Sequence, residues 1–431
     1  MLESANLSEI EATKKAMKWS AIDVEWGLSL FGTAVGAGIL FLPIAAGAGG
    51  FWPLVILTIL TGPMVWLSHL GLSRFVLSAD HQDDDITDTF KEHFGHKKAN
   101  ILNLIYFFAI YPNVIVYGDA ITNTFMDFIV NQLGMGAPPR WLLSGVLIML
   151  MTSGVLFGKN LMIKVCSMLV YPLAVVLFAV SVYLMKDWNM SMITASPHWA
   201  SMPLVIWIAL PIVVFSFSHA PLISQFTKAQ RVSYGVNAQK KADKIIGINI
   251  IALMLFTMFF VFSIVLALSP DQLIEMKNQN ISVLSYIADL YKTPFIAYLG
   301  PLIAVVAISS SYFGHFTGAH EGAVGFIAQN TKLKKNLINK ISIIALVLTT
   351  WIVAIINPSI LGLMGALAAP VLILILYFMP VYAMRCIPAL KKYRTSKVAR
   401  IFIAVCGVIA LTSCFHAIYL NLITYMPGLG Q

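Results

Sequence analysis

Gly32-Thr33-Ala34-Val35-Gly36-Ala37-Gly38, with Pro43 following, stands in the middle of a long apolar segment. Three glycines in seven residues disfavour an unbroken helix there. In a bilayer, backbone freed from helix persists only beside protein, a water-filled cavity or a ligand. Phe215-Ser216-Phe217-Ser218-His219-Ala220-Pro221 interrupts a second apolar segment about 180 residues later. Half-helix ends at such breaks offer free amides, which attract a carboxylate, and free carbonyls, which attract an ammonium or a cation. A zwitterion fits both. Thr33, Ala34, Gly36, Ala37 and Gly38 are candidate ligands of its carboxylate, and Phe215, Ser216, Phe217, Ser218 and His219 of its ammonium and side chain. Small residues also allow close helix packing in membranes, but two breaks in matching halves favour a transporter site.

Ala307-Ile308-Ser309-Ser310-Ser311 lies about 18–24 Å into another apolar segment, level with both breaks. Carbonyls of Gly32, Val35 and Ala307 with the hydroxyls of Ser310 and Ser311 would supply the several oxygens that sodium, like other hard cations, requires. The serines have an equal alternative in bonds to their own helix. Tyr111 and Asn113, about 17 Å into the third segment, are further candidates to face the substrate, with interior packing and a satisfied hydroxyl the equal alternative for Tyr111. His219 offers a hydrogen bond or a proton near neutral pH, with a structural role as the alternative. Asp119 and Asp127 fall toward the outer end of their segment and Glu321 at a cytoplasmic edge, so no midplane carboxylate relay is expected. His315 and His320, five residues apart, diverge by about 140° on a helix and do not pair on a metal. His69 and Arg74 read as a structural or cytoplasmic-end pair. No nucleophile–base or metal pairing indicates an enzyme, and no cofactor beyond a coupling ion is expected.

The elements that must hold these residues are membrane spans. The 431 residues are 59% hydrophobic and only 11% charged, with a mean hydropathy of +0.83. Charge-poor segments near 24–46, 51–75, 100–131, 140–158, 161–185, 203–226, 245–268, 295–328, 337–356, 359–384 and 400–424 are each long enough to cross about 30 Å of hydrocarbon. An all-α polytopic membrane protein of about eleven transmembrane helices, in contact with lipid, follows. With a cytoplasmic N-terminus, 24 of the 28 Lys and Arg fall on the inside, leaving only Arg140, Lys186, Lys277 and Lys292 outside. The C-terminus is then periplasmic, and the net charge of +9 reflects topology, with no nucleic-acid partner implied. The N-terminus lacks the pattern of a cleaved signal, and residues 1–20 suit a polar surface helix. Cys166, Cys386, Cys406 and Cys414 lie in or beside apolar spans and suggest no disulfide framework.

Aligning the breaks divides the chain into a cytoplasmic N-terminal segment (1–23), spans one to five (24–185), spans six to ten (203–385) and an eleventh span (398–424). Five is odd, so the second half enters from the opposite face and the repeats are inverted, with discontinuous helices one and six. An amphipathic external stretch, 281–288, has the spacing of a helix lying on the surface.

Gly32 through Pro43, Tyr106 through Pro112, Ile121-Thr122-Asn123-Thr124, Phe215 through Pro221 and Ser311-Tyr312-Phe313-Gly314-His315 resemble the serine/threonine branch of the hydroxy and aromatic amino acid permeases of bacteria. The resemblance implies eleven spans, an inner-membrane location and the five-plus-five inverted-repeat fold shared with the neurotransmitter-sodium symporters. It also implies uptake of a small neutral amino acid of serine or threonine type, generally with protons. Ala307 followed by Ser310 and Ser311 nevertheless resembles the sodium site of those symporters, with Gly32 and Val35 as its carbonyl donors, so Na+ is the favoured coupling ion and H+ the alternative. An amino-acid receptor would share such a site but carry no flux.

Overall fold

The computed structural model describes residues 18–156, 159–194, 199–291 and 293–425. The expected surface helix over 1–20 and most of the 1–23 segment lie outside these residues. Within them the chain is helical, with no strand among the described residues. Helices form because an apolar bilayer demands internal satisfaction of every backbone group, and polar residues mark where they begin. Ser20 and Asp23 cap the first helix reciprocally, as Asp85 and Asp88 cap the longest one and Ser269 and Gln272 a short one.

The first span is α1 (Ala21–Ala34) and α2 (Ala37–Ala46), bent by 47° at their junction. It is followed by α3 (Phe51–Leu77), α4 (Ile86–Asp127), α5 (Arg140–Leu156) and α6 (Lys159–Leu184). A second broken pair, α7 (Met202–Ser216) and α8 (Ala220–Tyr234), leads into α9 (Ala238–Ala267). Two short helices, α10 (Pro270–Gln279) and α11 (Val283–Tyr291), precede α12 (Pro294–Asn330) and α13 (Lys335–Ile356). Residues 360–386 alternate α and π turns, and α14 (Lys397–Tyr425) closes the chain. Eight of the described helices are long and apolar enough to span a bilayer and the bent pair makes nine, while Arg140–Leu156 and Met202–Ser216 are shorter apolar helices.

Two differences from the sequence reading have clear causes. Helix α4 begins fourteen residues before the apolar run at 100, because Gly95 at φ 71° lets a polar piece turn into the span. The helix expected to lie on the surface near 281–288 is inserted instead: Val283 through Ala288 are all buried. Its strong amphipathic pattern reflects burial against α12 and α2, not exposure to solvent.

Candidate functional site

Both breaks are real and they meet. Helix α1 ends where Val35 turns to φ −81°, ψ 91° and Gly36 to φ −146°, ψ −148°. Helix α7 ends at Ser216 and α8 restarts at Ala220, leaving Phe217-Ser218-His219 between them. A Cβ on Gly38 would lie 2.6 Å from Ser216 Cα and 2.9 Å from the Phe215 ring. Only glycine permits that approach. At Gly36 an added methyl would stand 2.4 Å from Ser311 Cβ and 2.9 Å from Tyr117 Cε1. The glycines thus serve both as break and as close packing, the two readings the sequence left side by side.

Helix α12 supplies the third wall. The Ser310 hydroxyl donates to Gly32 O at 3.2 Å and to Ala307 O at 3.0 Å, the latter the bond to its own helix that the sequence left as the alternative, and the same contacts cluster three of the five oxygens anticipated for a cation. Spacings near 3 Å suit neighbouring oxygens around a hard cation held at about 2.4 Å. Ser311 is engaged differently, its hydroxyl donating to Thr33 O at 2.5 Å. The Thr33 hydroxyl turns back to Ser29 O at 2.7 Å, and its side chain packs on α12 at Gly314, where an added Cβ would stand 2.4 Å from Thr33 Oγ1. The Val35 amide donates to Phe31 O at 2.8 Å. From α6, Cys166 packs its thiol against the Ser310 carbonyl at 3.5 Å, and Gly32 has no room for a side chain because Val170 Cγ2 would be 2.8 Å away.

The contribution of α4 differs from the one anticipated. Tyr111 is turned toward α13, where its hydroxyl bonds Thr349 and its ring stacks on Phe107. Asn113 is buried and donates to Ala109 O and Ile110 O, each at 3.0 Å, while its Oδ1 has no partner. One turn further, Tyr117 stands at the break: its ring lies 4.9 Å from His315 and 6.4 Å from Phe215, and its hydroxyl reaches toward Ser311. The i, i+4 relation to Asn113 puts both on one face, and the six-residue step from Tyr111 rotates that residue away. That periodicity was the available signal for Tyr117.

His69 does not pair with Arg74, which instead binds Asp243 at 2.8 Å. It packs on His219, the rings 3.8 Å apart. Asp119 is paired with Arg140 at 2.6 Å, and Glu321 accepts from Ser224 at 2.6 Å and Gln225 at 2.5 Å. Among the described residues no group of three or more His, Cys, Asp or Glu forms a metal cluster.

Two buried atoms at the second break, Ser216 Oγ and His219 Nε2, have no hydrogen-bond partner. Buried polar atoms are nearly always satisfied, so such a pair beside an unwound segment calls for an explanation. Break residues of both helices, Tyr117, Ser310, Ser311 and His315 are buried, which closes the site to either face.

Two discontinuous helices crossing at a polar centre, inside an all-helical bundle, are the architecture of a membrane transporter. The profile of the tryptophan/tyrosine permease family matches residues 26–413, and the chain belongs to that family. It is 42% identical to the serine transporter SdaC of Escherichia coli K12 over 429 residues, which are 97% of this chain and 100% of that protein. The serine transporter SdaC of Shigella flexneri is equally similar, at 42% over the same shares. The resemblance to the serine/threonine branch of the hydroxy and aromatic amino acid permeases is thereby borne out, and the protein is a multi-pass membrane transporter of serine type, not an enzyme.

Among solved structures, a manganese transporter of Eremococcus coleocola in complex with an aromatic bis-isothiourea compound superposes with a TM-score of 0.63 at 13% identity, covering 95% of this chain and 88% of that one. MhsT in complex with L-phenylalanine gives 0.54 at 15%, covering 92% and 98%. These likenesses establish the fold alone. They support the expected all-α transporter architecture.

Proposed function

We propose that this chain imports serine, or a close hydroxy amino acid, across the bacterial inner membrane by sodium symport and alternating access. The observation that carries the reading is the convergence of both breaks with Ser310, whose hydroxyl is within 3.2 Å of Gly32 O and 3.0 Å of Ala307 O. In this reading the amides from Ala34 to Gly38 take the carboxylate, with Tyr117 beside them. Carbonyls and side chains from Phe215 to His219 take the ammonium and the hydroxyl. Sodium sits between Gly32, Val35, Ala307, Ser310 and Ser311, where it neutralises charge next to the substrate carboxylate.

The eleven-span count, the inverted repeats over 24–185 and 203–385, and the inside N-terminus belong to the same proposal, supported by the charge distribution and the two breaks. Labelled serine uptake into proteoliposomes tests it at fixed pH with and without an inward sodium gradient. Uptake that needs the gradient supports sodium coupling. Undiminished uptake in sodium-free buffer, driven by an inward proton gradient, replaces sodium with protons.

A further inference from the structure

His69, on α3, is a residue that the proposed substrate and cation sites leave without a task. Its Nδ1 lies 2.8 Å from Val65 O, and its Nε2 lies 3.1 Å from the backbone nitrogen of His219. A carbonyl has no proton to give and an amide N–H has one, so both contacts require the same neutral tautomer: Nδ1 protonated, Nε2 bare. The two rings stack at 3.8 Å with an interplanar angle of 16°. His69 therefore grips His219 twice, through its backbone and through its ring.

The grip determines what His219 presents. Its Nδ1 lies 3.3 Å from Phe217 O, which by the same argument puts the proton on Nδ1 and leaves Nε2 as an acceptor. That atom is buried, on a residue with 0% exposure, and no donor reaches it. A buried acceptor without a donor is costly, so the position suits a group that arrives with its own proton.

We propose that His69 is a positioning residue for substrate selection: it holds His219 so that the bare Nε2 accepts a hydrogen bond from the side-chain hydroxyl of the transported amino acid. This rests on the serine reading of the site. The break carbonyls already suit the ammonium, and a neutral imidazole with one lone pair matches a single hydroxyl donor. A site built around such an acceptor rejects the analogue lacking the hydroxyl, because the acceptor is then left unpaired.

The test compares serine with alanine in proteoliposomes holding the full-length protein, as kcat/KM for each. Wild type is expected to prefer serine strongly. His219→Phe keeps the ring stack and the backbone N–H but removes the lone pair, and should lower the serine-to-alanine ratio by about tenfold or more, chiefly through the KM for serine. His69→Leu should lower it comparably, and His69→Gln, whose amide oxygen can take the His219 N–H, should recover much of the loss. An unchanged ratio in His219→Phe overturns the acceptor role and leaves that atom to a bound water. An unchanged ratio in His69→Leu, or no recovery in His69→Gln, overturns the positioning role. If His69→Leu does not fold, His69→Gln with a near-wild-type ratio and His219→Phe with a reduced one still support the proposal, and the opposite pattern sinks it. Wild-type protein that moves serine and alanine equally refutes this inference alone, whereas wild-type protein that moves neither refutes the serine reading.

Discussion

Gly36 is the residue at which the broken span is most tightly defined. A methyl there would collide with Ser311 Cβ at 2.4 Å and Tyr117 Cε1 at 2.9 Å, and both neighbours are buried. Gly36→Ala should therefore cost about 1–3 kcal/mol through overpacking. Serine uptake should fall at least several-fold with a lower melting temperature, and wild-type values for both would refute the close approach. Ser310→Ala is a gentler change, removing one hydroxyl and leaving Gly32 O and Ala307 O in place. On the sodium reading it raises the sodium concentration for half-maximal uptake by about tenfold, in line with one lost ligand of a hard cation. An unchanged sodium dependence would remove Ser310 from the cation site. Residue types pointed to these positions because three glycines in seven residues and adjacent serines fall at matching depth in separate spans. Tyr117 escaped notice because a tyrosine in an apolar helix resembles core packing until its neighbours are known.

At the scale of elements, the inserted helix α11 packs on α12 and α2, and α10 packs on α2 beside it. Asn280 joins them at φ 55°, a left-handed conformation that asparagine tolerates. Its amide donates to Pro358 O at 2.9 Å and Asn357 Oδ1 at 3.2 Å, its Oδ1 accepts from the Ile360 amide at 2.9 Å, and its carbonyl accepts from Asn123 at 3.0 Å. The helix pair is thus fastened to α4 and to the turn after α13. Asn280→Ala removes the side-chain bonds and strains the turn, so amide hydrogen exchange over Val283–Ala288 should speed up by tenfold or more. Exchange at the wild-type rate would show that packing alone holds α11 in place. The sequence carried the amphipathic pattern of α11 but not the partner of its apolar face, since periodicity reports that a face is buried without reporting against what.

Across the whole molecule, an ion pair ties together chain segments 218 residues apart on one side of the bundle. Lys241 on α9 meets Asp23 at 2.6 Å, both buried, while Tyr234 donates to Asp23 at 2.6 Å and Lys241 donates to Lys18 O at 2.6 Å. Together they clamp the start of α1 to the end of α8 and the start of α9. On the proposed alternating-access reading with a cytoplasmic N-terminus, inward release requires α1 to separate from this cluster. Asp23→Asn leaves a buried lysine without its counter-charge and should destabilise the protein by about 3–5 kcal/mol, whereas Asp23→Asn with Lys241→Met should restore much of the loss. Thermal melting of the purified single and double variants checks this, and additive destabilisation would contradict a paired latch. A cavity of about 520 Å³ lined by Asp85, Asp88, Gln225, Glu321 and Lys335 lies between α4, α8, α12 and α13 on the same side.

The sequence by itself determined that this chain is a bundle of membrane helices and that two of them break, and it singled out Gly32 to Gly38, Phe215 to His219 and Ser310 with Ser311 as the candidates for the site. These properties are local, since hydropathy over twenty residues and glycine or serine within a few are enough to dictate spanning and breaking. Only the tertiary structure decided which groups share the centre. It turned Tyr111 to Thr349 and brought Tyr117 to the break, gave Ser311 to Thr33 while Ser310 kept Gly32 and Ala307, and took His69 from Arg74 to His219. Those choices depend on how one helix is rotated against another. Rotation is set by side-chain packing summed over several neighbours, and no single segment contains that information.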